Sequence, residues 1–217
     1  MEIRYLLLPV FVVFLNSVSA QPQTDQVKDV PVSWTENLAG DFSFKDQWAY
    51  SEGIYRNEAG QLTCDGLCPP GADLMKDSYG NIFKDSLAAF YKLVDTTHFF
   101  YSLQSETNCN EWAGSNYINV SGSIADTVNC HTLQNTATHC SLELMITKGK
   151  CYALVRLNSV AGNDGELYYC TGGNIRIDRE AWEQGFMKAV FDLSFSSMPK
   201  EGEPLRWKGT IYAYINP

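Results

Sequence analysis

The sequence predicts a mainly β protein: an antiparallel β-sandwich, or as the alternative a β-barrel, with one short helix and a long N-terminal loop. Three observations carry this. Apolar and polar residues alternate in "CSLELMIT", "FMKAVFDLSFS" and "WKGTIYAYI", and a period of two marks strands with one buried face. Turn-forming residues separate these runs at short intervals, which favours a sandwich or a barrel. No alternation of strand and helix patterns is present, which argues against a doubly wound sheet.

In chain order, residues 1–20 read as a secretory signal. Arg4 gives the charged start, "YLLLPVFVVFL" the apolar core, and "SVSA" the small residues before a cleavage expected after Ala20. The apolar run is short for a membrane span. The mature protein is therefore expected to be secreted, or to lie in the periplasm or cell envelope, and not to be embedded in a membrane. Residues 21–40, with the polar "QPQTDQVKDVPVSW", read as a flexible lead-in. Residues 41–217 read as a single β-rich domain.

Within that domain, "DFSFKDQWAYSEGIYR" is aromatic with partial alternation and predicts a strand or two. "NEAGQLTCDGLCPPGADLMKDSYGNIFKD" is punctuated by Gly, Pro, Asp and Asn and predicts a long irregular loop. "DSLAAFYKLVD" predicts the helix. Leu87, Phe90, Tyr91 and Val94 form its apolar stripe, and Asp85 or Ser86 supplies the N-cap. The period then returns to two. "THFFYSLQSE" sets Phe99, Tyr101 and Leu103 on one face, and "SNYINVSGS" is a short strand. "KG" at 148–149 and "AGNDG" are turns between returning strands, and "NIRID" is a short strand. In the last two strands Met187, Ala189, Phe191, Leu193 and Phe195, then Trp207, Ile211, Ala213 and Ile215, should face the core.

The C-terminal run "GGNIRID…WEQGFMKAVFDLSFS…PLRWKGTIYAYI" resembles the closing strands of uncharacterised secreted β-sandwich domains of Gram-negative bacteria. Gly173, Ile175 and Ile177 match a G-x-I-x-I strand. Gly185, Phe191, Leu193 and Phe195 match the next strand, with Leu193 where the pattern has Phe. Gly209 and Ile211 match the last strand. The resemblance implies the sandwich and carries no catalytic residues.

The formal charge is -9, from 16 Lys and Arg against 25 Asp and Glu, with no basic cluster. Nucleic-acid binding depends on cations that neutralise phosphates, so nucleic acid is not an expected partner. All seven Cys fall after residue 20, and in an oxidising compartment their default state is disulfides. An odd number leaves at least one thiol over. Cys64 and Cys68, in "CDGLCPP", permit a small disulfide ring, with Cys109 as the rival partner.

"NCHTLQNTATHC" is the densest motif. As a hairpin with "QNT" at its tip, it sets Cys130 opposite Cys140 and His131 opposite His139. Both Cys then share one face and both His the other. That geometry favours a Cys130–Cys140 disulfide over a tetrahedral Cys₂His₂ metal site. His131 and His139, and separately Asp73, Asp77 and Asn81 in "DLMKDSYGNIFKD", are the residues a metal would use. A surface pair and a solvated loop are the favoured readings for them. "NVS" at 119–121 is a formal glycosylation sequon.

Catalytic signatures fail. There is no G-x-S-x-G, H-E-x-x-H or phosphate loop. "SMPK" matches S-x-x-K only literally, because its Pro opposes the helix that motif needs. No cofactor is implied. Aromatic residues are plentiful, with five Trp, twelve Tyr and eleven Phe. Trp48, Tyr50, Trp112, Tyr212 and Tyr214 are the candidates to face a ligand. The expected function is non-enzymatic binding or structural display, toward a glycan or a protein. The alternatives are a barrel carrying a small apolar ligand and a carboxylate-dependent glycan hydrolase.

Overall fold

A computed structural model describes residues 28–133, 135, 137–158, 165–197 and 203–217. The expected signal, residues 21–27, most of the "AGNDG" turn and the end of "SMPK" lie outside them. In chain order the strands are β1 (Val30–Thr35), β2 (Trp48–Tyr50), β3 (Ile54–Arg56), β4 (Leu62–Cys64), β5 (His98–Phe100), β6 (Leu103–Thr107) and β7 (Ile118–Gly122). They continue as β8 (Thr127–Thr132), β9 (Cys140–Thr147), β10 (Lys150–Leu157), β11 (Glu166–Asp178), β12 (Phe186–Ser197) and β13 (Pro204–Tyr214). Helix α1 spans Leu87–Leu93 and helix α2 spans Arg179–Glu183.

Nine strands form one sheet in the order β6-β13-β12-β11-β1-β10-β9-β8-β7. Its two edges approach each other. The backbone N–H groups of Ser102 and Leu103 donate to the Asn116 carbonyl, at 2.9 and 3.1 Å. Gly122 N–H donates to the Asn216 carbonyl at 2.8 Å, and Asn216 N–H donates to Val120 at 2.9 Å. The sheet is thus nearly closed and barrel-like, the second of the two architectures the alternation allows. Alternation reports a buried face and is blind to whether that face meets a second sheet or its own far edge.

The interior is packed. All the core positions expected on β12 and β13 are buried, and Trp207, Phe191, Phe195, Leu142 and Met187 are among the largest side chains filling it. Two glycines of the closing strands are demanded by close approach. A Cβ at Gly173, where φ is +129°, would run into the Asp192 carbonyl, and one at Gly209 would run into the Gln104 carbonyl. The "KG" turn forms as expected, with positive φ at Lys148 and Gly149, the conformation that tight hairpins require.

The segment expected to be a flexible lead-in contains β1, which is a correction. β1 wedges between β10 and β11, antiparallel to the first and parallel to the second. Val30 is buried against the core and Trp34 packs edge-on to Trp182 at 5.4 Å. The polar residues that precede Val30 hid a strand whose inward positions are only Val30, Val32 and Trp34.

Helix α1 lies where expected. Phe90 is buried, as is Val94 just past the helix end, but Leu87 and Tyr91 are exposed, and Ser86 makes no side-chain cap. The second helix, α2, was not foreseen. Asp178 caps it by accepting from Ala181 N–H at 3.1 Å. The long N-terminal loop is itself built. β3 pairs with β4, short 3₁₀ turns follow, and Cys64, Ala72, Ile82, Phe90 and Val94 form a second small core. "THFFYSLQSE" breaks at Tyr101 and Ser102, so β5 leaves the large sheet to pair with β2.

Candidate functional site

The pairing of β2 with β5 sets Trp48 opposite Phe100 and Tyr50 opposite His98. All four rings share one face because side chains alternate along a strand. They pack against one another, Trp48 edge-on to Tyr50 at 5.2 Å and tilted on His98 at 4.7 Å, and His98 edge-on to Phe100 at 5.6 Å. The cluster is open to water: Trp48 is 46% exposed and Phe100 58%. Ala49 and Phe99 point the other way. They help line a crevice of about 590 Å³, whose far wall is the segment from Ala113 to Tyr117. The Tyr117 hydroxyl donates to the Phe99 carbonyl at 3.4 Å. Burial raises the Tyr117 pKa, with Tyr101 adding to the effect.

A second ring group lies on the outer face of β12 and β13. Phe186 stacks on Tyr212 at 5.8 Å and meets Tyr214 edge-on at 5.6 Å. These rings, with Phe99, Phe100 and Lys45, line a crevice of about 490 Å³. The structure therefore brings the expected Trp48 and Tyr50 toward Tyr212 and Tyr214, through Phe99 and Phe100. Trp112 turns inward and packs on Trp207 at 4.5 Å. His98, Phe99, Phe100 and Phe186 were missed as site residues. The signal was present in "HFFY", where large rings occupy both faces of one strand.

A further depression, of about 900 Å³, is a groove on the outer face of β8, β9 and β10. His131 pairs in register with Glu143, and Arg156 Nε donates to Glu143 Oε1 at 2.7 Å. Leu133, Met145, Tyr152 and Leu154 supply apolar walls. The sequon residue Asn119 sits across from His131.

The motif "NCHTLQNTATHC" does not form the expected hairpin. Cys130 lies opposite Leu144, not Cys140, so the connection between β8 and β9 is longer than a three-residue tip. Cys140 instead bonds to Cys109, with Cα atoms 6.9 Å apart. This corrects the expected Cys130–Cys140 bridge. The staple ties the connection after β6 to the start of β9, beside a hydrogen bond from His139 N–H to Glu111 at 3.0 Å. Cys130 faces inward, with its Sγ 3.2 Å from Met187 Sδ. His131 and His139 are not brought together. Cys64 and Cys68 are bonded, as the spacing favoured.

Asp73 pairs with Lys76 at 2.9 Å. Asp77 holds a turn, accepting from Tyr79 and Asn81 N–H and from the Asn81 amide. The Asn81 amide and N–H keep the Asp77 carboxyl below its ordinary pKa. Among the described residues, no group of three His, Cys, Asp or Glu side chains is disposed to hold a metal ion, and no helix is long and apolar enough to cross a membrane.

Carboxylates gather on the outer face of β6, β11, β12 and β13, in a groove of about 610 Å³. Asn174, Asp192, Lys208 and Glu106 form one cross-strand row there. Lys208 stands between the two acids and ion-pairs with Glu106. That is the pattern of a solvated cross-strand charge ladder. Compared with known proteins, the chain matches no family model, no curated protein and no solved structure.

Proposed function

We propose that this protein is a secreted, non-catalytic binding domain whose ligand is a glycan, held at the aromatic crevice between the β2–β5 sheet and the Ala113–Tyr117 segment. The observation that carries the reading is the exposed ring group itself. Trp48, Phe99, Phe100 and Tyr214 are each about half exposed, while most of the Trp residues and long apolar side chains of the large sheet are buried. Rings left in water beside polar groups suit the apolar faces and hydroxyl rims of sugars. Ser51, Glu52, Ser115, Asn116 and Asn135 supply that polar rim.

The carrier reading draws less support, because Trp207, Phe191 and Phe195 occupy the barrel interior and the grooves described above lie outside it. The hydrolase reading draws less because the gathered carboxylates are interleaved with cations. A protein partner has one observation of its own. Leu74 and Tyr79, 85% and 82% exposed, project from the small module, and exposed apolar residues of this kind anchor protein interfaces.

The test is a glycan-binding screen of the wild type beside Phe99→Ala and Leu74→Asp. The glycan reading expects loss of binding by about tenfold or more in the first variant and none in the second. Glycan binding indifferent to Phe99 contradicts the site.

A further inference from the structure

We propose that the aromatic crevice is the middle of one continuous trough, and that the trough takes an internal stretch of a linear, uncharged glycan chain rather than a sugar terminus. This rests on the glycan reading above and specifies its ligand.

Continuity comes first. The three depressions share walls: Leu133 borders both the large groove and the crevice, and Phe99 borders both the crevice and the Tyr212–Tyr214 depression. The sheet register explains the first junction. The β7–β8 ladder ends at Ile118 opposite Thr132. One step beyond, Leu133 N–H donates to the Tyr117 carbonyl at 3.2 Å. Tyr117 and Leu133 are therefore neighbouring positions of one outer face, and His131 and Glu143 lie on its next row. The crevice wall runs directly into the groove wall. The second junction is the turn of β5, where Phe99 faces the crevice and Phe100 the ring cluster.

Size follows. The three parts hold about 900, 590 and 490 Å³, and each alone falls within the range of a pocket for one small molecule. Three in line, all open to solvent along their length, fit a chain that enters at one end and leaves at the other. Rings recur along the way, with Tyr152 in the groove, Tyr117 and Phe99 in the crevice, and Phe186 and Tyr214 beyond. Repeated rings suit a repeating ligand.

Charge selects among chains. The trough walls carry Glu143, Glu52, Arg156 and Lys45, two acids against two bases, and Arg156 is committed to Glu143. The whole chain is at -9. Such a protein repels a polyanion at long range and offers it no uncommitted cationic row. An uncharged chain meets neither obstacle.

The experiment is a length series. Monomers, dimers, tetramers and hexamers of the cello, chito, xylo, manno and malto series are immobilised beside a heparin hexamer and an unfolded, carboxymethylated lactalbumin. Binding of the full-length secreted protein is then measured for the wild type, Leu133→Asp and Leu133→Ala. Affinity for at least one neutral series is expected to rise about tenfold or more from dimer to hexamer, with heparin unbound. Leu133→Asp is expected to bring the hexamer-to-dimer affinity ratio close to one, and Leu133→Ala to lower that ratio in part. A dimer bound as tightly as its hexamer overturns the trough and leaves the glycan reading standing. Preference for heparin overturns the uncharged ligand. Capture of the lactalbumin with no neutral glycan bound overturns both readings. The wild-type series decides the matter even if a Leu133 variant fails to fold.

Discussion

Asp178 Oδ2 lies 2.9 Å from Lys188 Nζ and also accepts from Leu38 N–H at 2.8 Å. One nearly buried carboxylate thus joins β11, β12, the loop after β1 and the start of α2. Burial alone would push its pKa up. The Lys188 hydrogen bond and the N–H donors of Ala181 and Leu38 outweigh it, and the net pKa is lowered. A carboxyl depressed in the fold stabilises fully above its unfolded pKa, about 3.9. That contribution is lost as pH falls from there through the folded value. The expected result is an acid limb in thermal stability below pH ~4 that Asp178→Asn flattens. Because the substitution leaves Lys188 without its charge partner, it should also cost about 3 kcal/mol at neutral pH. Denaturant unfolding at pH 7 and pH 3 checks both.

The two disulfides should not be equal. Cys109–Cys140 spans 31 positions and Cys64–Cys68 spans 4. Chain-entropy reasoning gives about 3–4 kcal/mol for the first and about 2 for the second. Double Cys→Ser variants measured by urea unfolding should show the larger loss for Cys109 and Cys140. Because the Cys64 ring sits in the separate small core, its removal should loosen residues 51–95 in hydrogen exchange before it lowers the main transition.

Cys130, Cys151 and Cys170 are buried and unbonded. Burial pushes the Cys130 thiol well up and the Cys151 thiol to about 12. The native protein should therefore resist an alkylating reagent at pH 8, and all three thiols should react once the chain is unfolded without reductant. The linkage runs toward alkali. These thiols hold their protons in the fold and release them when unfolded near pH 8.5. Stability should fall above about pH 9, by up to about 1.4 kcal/mol per pH unit for each thiol. An alkaline stability profile of Cys151→Ala, compared with wild type, should show the slope reduced.

The strands most legible in the sequence were those whose alternation is unbroken. β12 and β13 place Met187, Phe191, Trp207 and Ile211 as expected, because each strand has one wet face and one packed face. Where both faces are covered, or both wet, the signal vanishes. β1 is a short inserted strand read as a loop. β5 carries rings on both sides, so Phe99 looked like a core residue and became a crevice wall. Cys pairing was illegible for a different reason. Bridging Cys109 to Cys140 depends on how the barrel brings the connection after β6 to the start of β9, which no local spacing encodes. The ring group was half legible: Trp48, Tyr50, Tyr212 and Tyr214 stood out by composition, but their meeting across Phe99 and Phe100 is a product of the β2–β5 pairing.

The central claim is that sugars stack on the exposed rings that line the crevice. Phe99 is the most direct reporter, because it is 45% exposed and borders both the crevice and the Tyr212–Tyr214 depression. The neutral hexasaccharides of the length series should be titrated calorimetrically into wild type and Phe99→Ala. The account predicts saturable binding by the wild type, weakened about tenfold or more in the variant. Saturable binding that survives Phe99→Ala at full affinity would place the ligand elsewhere and contradict it.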